Sequence, residues 1–224
     1  MRILVILDDK KQEKMYAALL MDGRYLMDAV QPEKAVDDAA SGIYDAAVVD
    51  ISQEKSIQLL KNMRSAGIHT PLLMICAEPS IDRKVDALDN GADAFLAKPF
   101  EARELLSQLR ALVRRRDGIV SELLSFGNTS LNIMTCMLCS DTDAVQLSSR
   151  EFEMMRILMT NKDNIVPKEV LLLKVWGYES NAIDNYVEVY ISYLRKRLKE
   201  IHSNVRINAV RRVGYHLSVA ETVI

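Results

Sequence analysis

The chain is poor in cysteine and has no long apolar run. Its 224 residues include three cysteines, Cys76, Cys136 and Cys139. That is too few for a disulfide framework, and a reducing compartment is the simpler expectation. The longest apolar stretches, such as Ile3 to Leu7 and Leu72 to Ala77, fall far short of the ~20 residues that a membrane span requires. The N-terminus enters a strand-like segment directly, without the charged and apolar regions of a secretory signal. A cytoplasmic protein with no membrane partner is expected. Positive charge is not in excess either. The net charge is −2, with 17 basic against 18 acidic residues up to Arg116 and 12 against 13 beyond it. Nucleic-acid binding therefore cannot be argued from the total. Internal repeats and low-complexity tracts are absent.

What is present is pattern, over a length that suits two domains of ~100–150 residues. Apolar runs at Ile3–Leu7, Tyr25–Val30, Asp45–Asp50, Pro71–Cys76 and Ala94–Ala97 alternate with helix-like stretches near 10–21, 33–41, 54–66, 80–90 and 101–115. Short apolar runs separated by helical periodicity indicate βαβ units around a parallel sheet covered on both faces. Five such units over residues 1–116 predict an α/β, flavodoxin-like doubly wound (βα)5 domain. Sites in such a domain form at the carboxyl ends of the strands. Gly23, Gly42, Gly67 and Gly91 each follow a helical stretch, and Arg114–Arg116 suit a helix C-terminus. Residues 117–125 read as a linker.

From 126 to 224 the character changes. Short β-like pieces over 126–147 suggest a small antiparallel sheet. Ser148 and Glu151 form a capping box that opens a helix through Met159. A second helix runs from Pro167 to Trp176 and is closed by Gly177, and a third runs from about Ile183 to Glu200. Val205–Val210 and Tyr215–Val219 flank Arg211–Gly214 as a hairpin. Sheet, three helices and terminal hairpin make an α+β winged helix-turn-helix. On the third helix Ile183, Val187, Ile191, Leu194 and Leu198 share one face at helical spacing and should be buried. The opposite face carries Asn185, Val189, Ser192, Tyr193 and Lys196: an amide, hydroxyls, a cation, and a valine suited to a thymine methyl in the major groove. Between Arg195 and Arg212 seven basic residues face one acid, Glu200. Arg195, Arg197 and Lys199 border the outward face, within reach of phosphates.

Ile183 to Leu198 followed by Val210-Arg211-Arg212-Val213-Gly214-Tyr215 resembles the effector domain of OmpR/PhoB-type response regulators. Leu147 to Phe152 and Leu171 to Gly177 are similar to its first two helices. The resemblance implies a sequence-specific transcriptional regulator that binds double-stranded DNA, with Asn185, Val189, Ser192, Tyr193 and Arg195 on the DNA face. It also implies that Arg211 enters the minor groove from the wing. Tyr193 replaces a common arginine, which should alter base preference. Arg212 replaces the wing's usual glycine, which alters the hairpin or adds a phosphate contact. By analogy Gly177–Ala182 would face RNA polymerase, a plain connecting loop being the other reading.

Residues 1–116 resemble the receiver domain of the same family, through Asp8-Asp9 after the first strand, Asp50 ending the third and Lys98-Pro99-Phe100 after the fifth. Three carboxylates at neighbouring strand ends favour a hard cation, and Asp8, Asp9 and Asp50 would bind Mg²⁺. Asp50 would be the phosphoacceptor, Lys98 would neutralise the transferred group, and the implied donor partner is a sensor histidine kinase. Three departures mark an atypical receiver. Cys76 stands where a hydroxyl is usual and donates more weakly. The loop after Asp50 reads Ile51 to Ser56, short and without the usual proline and glycine. The switch aromatic is Phe95, which lacks a hydroxyl. The family's homodimer forms through helix four, strand five and helix five. Lys84 with Glu104 and Asp89 with Arg110 keep two of its cross-subunit ion pairs, and a third is lost on both sides at Ala94 and Gln108. A dimer acting without phosphorylation is the expectation. The alternative is a redox- or ligand-responsive regulator with the same DNA-binding domain. Cys136-x-x-Cys139 lacks further ligands for zinc and reads as structural. An enzyme is not expected.

Overall fold

The computed structural model describes residues 1–116, 123–162, 164–177 and 185–220, and the chain divides into two compact units, Met1–Val120 and Ser121–Ile224. In the first unit β1 (Arg2–Leu7), β2 (Leu26–Val30), β3 (Ala46–Asp50), β4 (Leu72–Cys76) and β5 (Ala94–Ala97) form one sheet in the order β2-β1-β3-β4-β5. Every pairing in it is parallel. The intervening helices are α1 (Glu13–Asp22), α2 (Ala35–Ala40), α3 (Gln53–Ser65), α4 (Ile81–Asp89) and α5 (Ala102–Arg116). This is the expected doubly wound fold. β1, β3 and β4 are buried along their whole length. They are therefore apolar apart from Arg2, which opens β1, and Asp50, which ends β3, whereas β2 at the sheet edge is half-exposed.

The strand order reverses between β1 and β3, so the loops that leave these two strands diverge and open a crevice at their carboxyl ends. The register pairs Leu7 with Asp50, which brings the acidic turn after β1 beside the end of β3. Two helices begin differently from expectation. Lys10–Gln12 is a 3-10 turn ahead of α1, and Pro32–Lys34 is another ahead of α2. At the amino ends of β4 and β5 Arg64 acts as a clamp. Its guanidinium donates to the carbonyls of Ile68, Thr70 and Gly91 and to the Asp93 carboxylate, and so ties down the segments that enter β4 and β5.

The second unit begins with a four-stranded antiparallel sheet of β6 (Leu123–Phe126), β7 (Thr129–Asn132), β8 (Met137–Cys139) and β9 (Ala144–Gln146). Leu123 to Ser125, expected in the linker, pair with β7 instead; the rest of that linker lies outside the described residues. α6 (Ser149–Thr160) opens on the expected capping box, with Ser148 and Glu151 bonding each other's backbone amides. α7 (Lys168–Trp176) follows, then α8 (Tyr186–Glu200), then β11 (Val205–Val210) and β12 (Gly214–Val219). Pro167 stands at the start of α7 as its N-cap. With Val166 it also forms β10 (Val166–Pro167), which was not expected and adds to the hairpin in the order β10-β12-β11. That pairing depends on Gly214, because a Cβ there would lie 2.0 Å from the Val166 carbonyl oxygen. No disulfide joins Cys76, Cys136 and Cys139.

Candidate functional site

The carboxyl ends of β1, β3 and β5 bring Asp8, Asp9, Asp50 and Lys98 into one neighbourhood, and each acid there has a distinct partner. Asp50 is 6% exposed, and its carboxylate receives Lys98 Nζ at 2.8 Å on Oδ1 and at 2.6 Å on Oδ2. A second donor reaches it from α1: the Tyr16 hydroxyl gives a hydrogen bond to Asp50 Oδ2 at 2.7 Å. Tyr16 and Leu20 form the buried stripe of α1, one helical turn apart, and that stripe seats the helix on the sheet. Burial, then the hydrogen bond to Asp50 and its negative charge, push the Tyr16 phenol far above its ordinary value. Periodicity marks Tyr16 as a core position but gives no sign that its hydroxyl meets the acid of β3.

Asp8 and Asp9 are exposed and turned to other tasks. Asp8 Oδ2 accepts the Ser52 amide at 3.1 Å, pinning the loop after β3. Asp9 accepts the Lys11 amide at 2.9 Å and caps the 3-10 turn. Among the described residues no three His, Cys, Asp or Glu side chains gather as metal ligands. Asp8, Asp9 and Asp50 stand at the neighbouring strand ends where the expected Mg²⁺ would be held, each accepting the hydrogen bonds given above. Cys76 closes β4 with 5% exposure and lines a cleft of about 810 Å³ with Ile51, Ser52, Arg83 and Asp86. Phe95 is half-buried in β5 opposite Met74. Lys84, Asp89 and Glu104 are exposed, whereas Arg110 has its Nε buried without a partner. Beside Lys84 and Asp89, α4 leaves Ile81, Val85 and Leu88 uncovered.

In the second unit α8 divides its faces as expected. Val187, Ile191, Leu194 and Leu198 are buried, while Ile183 lies outside the described residues. The outward face presents Asn185 at the helix start, Val189 (40% exposed), Ser192, Tyr193 (49% exposed) and Lys196. The bordering arginines are engaged. Arg195 donates Nε and Nη2 to the Ile207 carbonyl at 3.0 and 2.7 Å, which ties α8 to β11. Arg197 pairs with Glu151 and with Glu200, both at 3.2 Å. Hydrogen bonds to these two acids raise its pKa. At the entrance of α8, Trp176 stacks on Tyr186 with centroids 5.8 Å apart and meets the edge of Tyr190 at 5.2 Å. Tyr190 in turn meets Tyr193 at 5.5 Å, so an aromatic ladder sets the position of the outward face.

Arg211 and Arg212 are exposed at the tip of the β11–β12 hairpin. The Val213 amide closes the turn on the Val210 carbonyl at 3.0 Å, and Arg212 takes φ +63°. A positive φ at the third turn position is a site that glycine prefers. Gly177 also belongs to the surface expected to face RNA polymerase; the remainder of that stretch, 178–182, lies outside the described residues.

Comparisons with known proteins bear on both units. The family described as "Response regulator receiver domain" matches residues 3–110, and "Transcriptional regulatory protein, C terminal" matches residues 142–217. The transcriptional regulatory protein DltR of Streptococcus agalactiae is 37% identical over 97% of this chain and 98% of its own. CiaR of Streptococcus pneumoniae, also named a transcriptional regulatory protein, is 32% identical over 96% and 97%. A solved receiver domain of a Francisella response regulator is 27% identical, with a TM-score of 0.48, over 51% of this chain and 98% of that one.

Proposed function

The chain belongs to the response-regulator family, as a receiver domain joined to a C-terminal transcriptional regulatory domain of OmpR/PhoB type, and from this we propose that it binds its DNA as a homodimer without needing phosphorylation. The observation that carries the reading is the outward face of α8. Asn185, Val189, Ser192, Tyr193 and Lys196 stand exposed together over a buried stripe, and Arg211 and Arg212 extend from the same unit's hairpin. In this reading α8 enters the major groove and its side chains meet base edges. Arg211 enters the minor groove, and Arg212 touches a phosphate. Arg195 acts chiefly as a brace between helix and hairpin, through its bonds to Ile207.

Support for the dimer comes from the first unit. Ile81, Val85 and Leu88 form an uncovered apolar strip on α4, flanked by Lys84 and Asp89. A second copy would cover it, with Lys84 facing Glu104 and Asp89 facing Arg110. Exposed pairs are worth only ~0–1 kcal/mol each, so the apolar strip supplies the greater part. Receiver domains hold a divalent cation at these strand ends. Here Asp50 is held by both Lys98 and Tyr16, and Cys76 ends β4 where a hydroxyl is usual, which supports regulation that does not depend on phosphorylation.

Selection of bound DNA from a random pool by the unphosphorylated protein tests the proposal. A direct repeat with half-sites about one helical turn apart is expected. Enrichment of single half-sites would refute the dimer, and no enrichment would refute phosphate-independent binding. On the selected site, Lys196→Ala and Arg211→Ala should each weaken binding and flatten its salt dependence, by about one unit of slope for each phosphate no longer neutralised.

A further inference from the structure

We propose that Tyr16 is a latch on Asp50: its hydroxyl holds the carboxylate turned inward and hydrogen-bonded, out of the attacking geometry that phosphoryl transfer requires. The proposal rests on the reading of these strand ends as a receiver site. A carboxylate that attacks phosphorus must offer a free lone pair toward the donor. Asp50 Oδ2 already accepts Tyr16 at 2.7 Å and Lys98 at 2.6 Å, and Oδ1 accepts Lys98 at 2.8 Å. The side chain is 8% exposed. Tyr16 cannot swing away, since it is fully buried on the stripe that seats α1 on the sheet. Asp8 and Asp9 are exposed and accept the Ser52 and Lys11 amides, while the buried phenol bonds to Asp50. A buried phenol needs an acceptor in any case, but most carbonyls would serve. This one takes the oxygen that a receiver would need.

The latch and a merely satisfied core phenol predict opposite results when the hydroxyl is removed. The full chain is incubated with acetyl phosphate and Mg²⁺, and the adduct at Asp50 is followed by mass. In the transfer an Asp50 oxygen bonds to phosphorus while the bond from phosphorus to acetate breaks, and acetate leaves with the electron pair. The wild-type chain should label slowly and Tyr16→Phe at least ten times faster. Tyr16→Leu, a second variant without the hydroxyl, should behave like Tyr16→Phe and covers the case in which one of them folds poorly. Leu20→Ala opens a cavity on the same helix but keeps the hydroxyl, and should give no acceleration. Equal rates in wild type and the hydroxyl-free variants, fast or slow, would overturn the latch. So would a Leu20→Ala rate that matches Tyr16→Phe, since loosening alone would then explain the gain. Adding Asp50→Asn to Tyr16→Phe should abolish labelling. Labelling that survives it would refute the receiver-site reading itself, separately from the latch.

Discussion

Arg212 shows how one residue can serve two ends at once. With φ at +63° it sits where a side chain costs ~1–2 kcal/mol and glycine costs less. Nothing in the packing of the turn requires an arginine there. Arg212→Gly should therefore stabilise the second unit by about 0.5–1 kcal/mol, after allowing for glycine's greater loss of entropy. A urea unfolding midpoint that fell instead would show that the side chain is held by an interaction stronger than the strain. If the guanidinium meets a phosphate, the same substitution should also weaken DNA binding and reduce its salt slope by about one. Glu151 makes a second residue-scale case. Desolvation alone would raise its pKa, but hydrogen bonds from Ser148 and then Arg197 prevail and hold it below the ordinary value of 4.5. A carboxyl depressed in the folded state adds stability that is present above the ordinary value and lost as pH falls through the folded one. Glu151→Gln should therefore lower stability near neutral pH and flatten the loss below about pH 4.5, read from unfolding midpoints across that range.

The elements differ in how far they could be read from residues alone. β1, β3 and β4 are apolar between their ends because both faces are covered, and α8 separates its buried from its exposed residues by helical spacing. Such features repeat along a segment and so are visible in it. β10 is two residues long, Val166 and Pro167, and has no period to detect; it exists because Gly214 lets β12 approach it. Leu123 to Ser125 read as linker because β6 has no strong alternation of its own and is defined by its partner β7. Of the site residues, Asp8, Asp9, Asp50, Lys98 and the outward face of α8 were legible as residue types at meaningful places. The Tyr16 hydroxyl and the Arg195 brace were not, since each joins groups far apart in the chain through an atom whose direction no spacing specifies. Gly214→Ala should test the element-scale argument. Its Cβ meets backbone that must move, so a loss of about 1–3 kcal/mol is expected, read from urea midpoints. Weaker DNA binding should follow as the hairpin shifts.

For the molecule as a whole, the two units are proposed to divide the labour: one pairs copies, the other reads DNA. A charge placed on the uncovered strip of α4 should separate the two tasks. Val85→Asp should shift the chain toward monomer in analytical ultracentrifugation and cut affinity for a direct repeat at least tenfold. Affinity for an isolated half-site should stay nearly unchanged, and an equal loss on both would place the defect in folding instead. The aromatic ladder beneath α8 has a practical consequence for such measurements. Trp176 is the only tryptophan in the chain, and it stacks on Tyr186 at the entrance of the helix proposed to dock in the groove. Excited near 295 nm, it makes the protein its own fluorescent probe: unlabelled chain should report arrival on DNA through its emission alone, with no dye to disturb the surface.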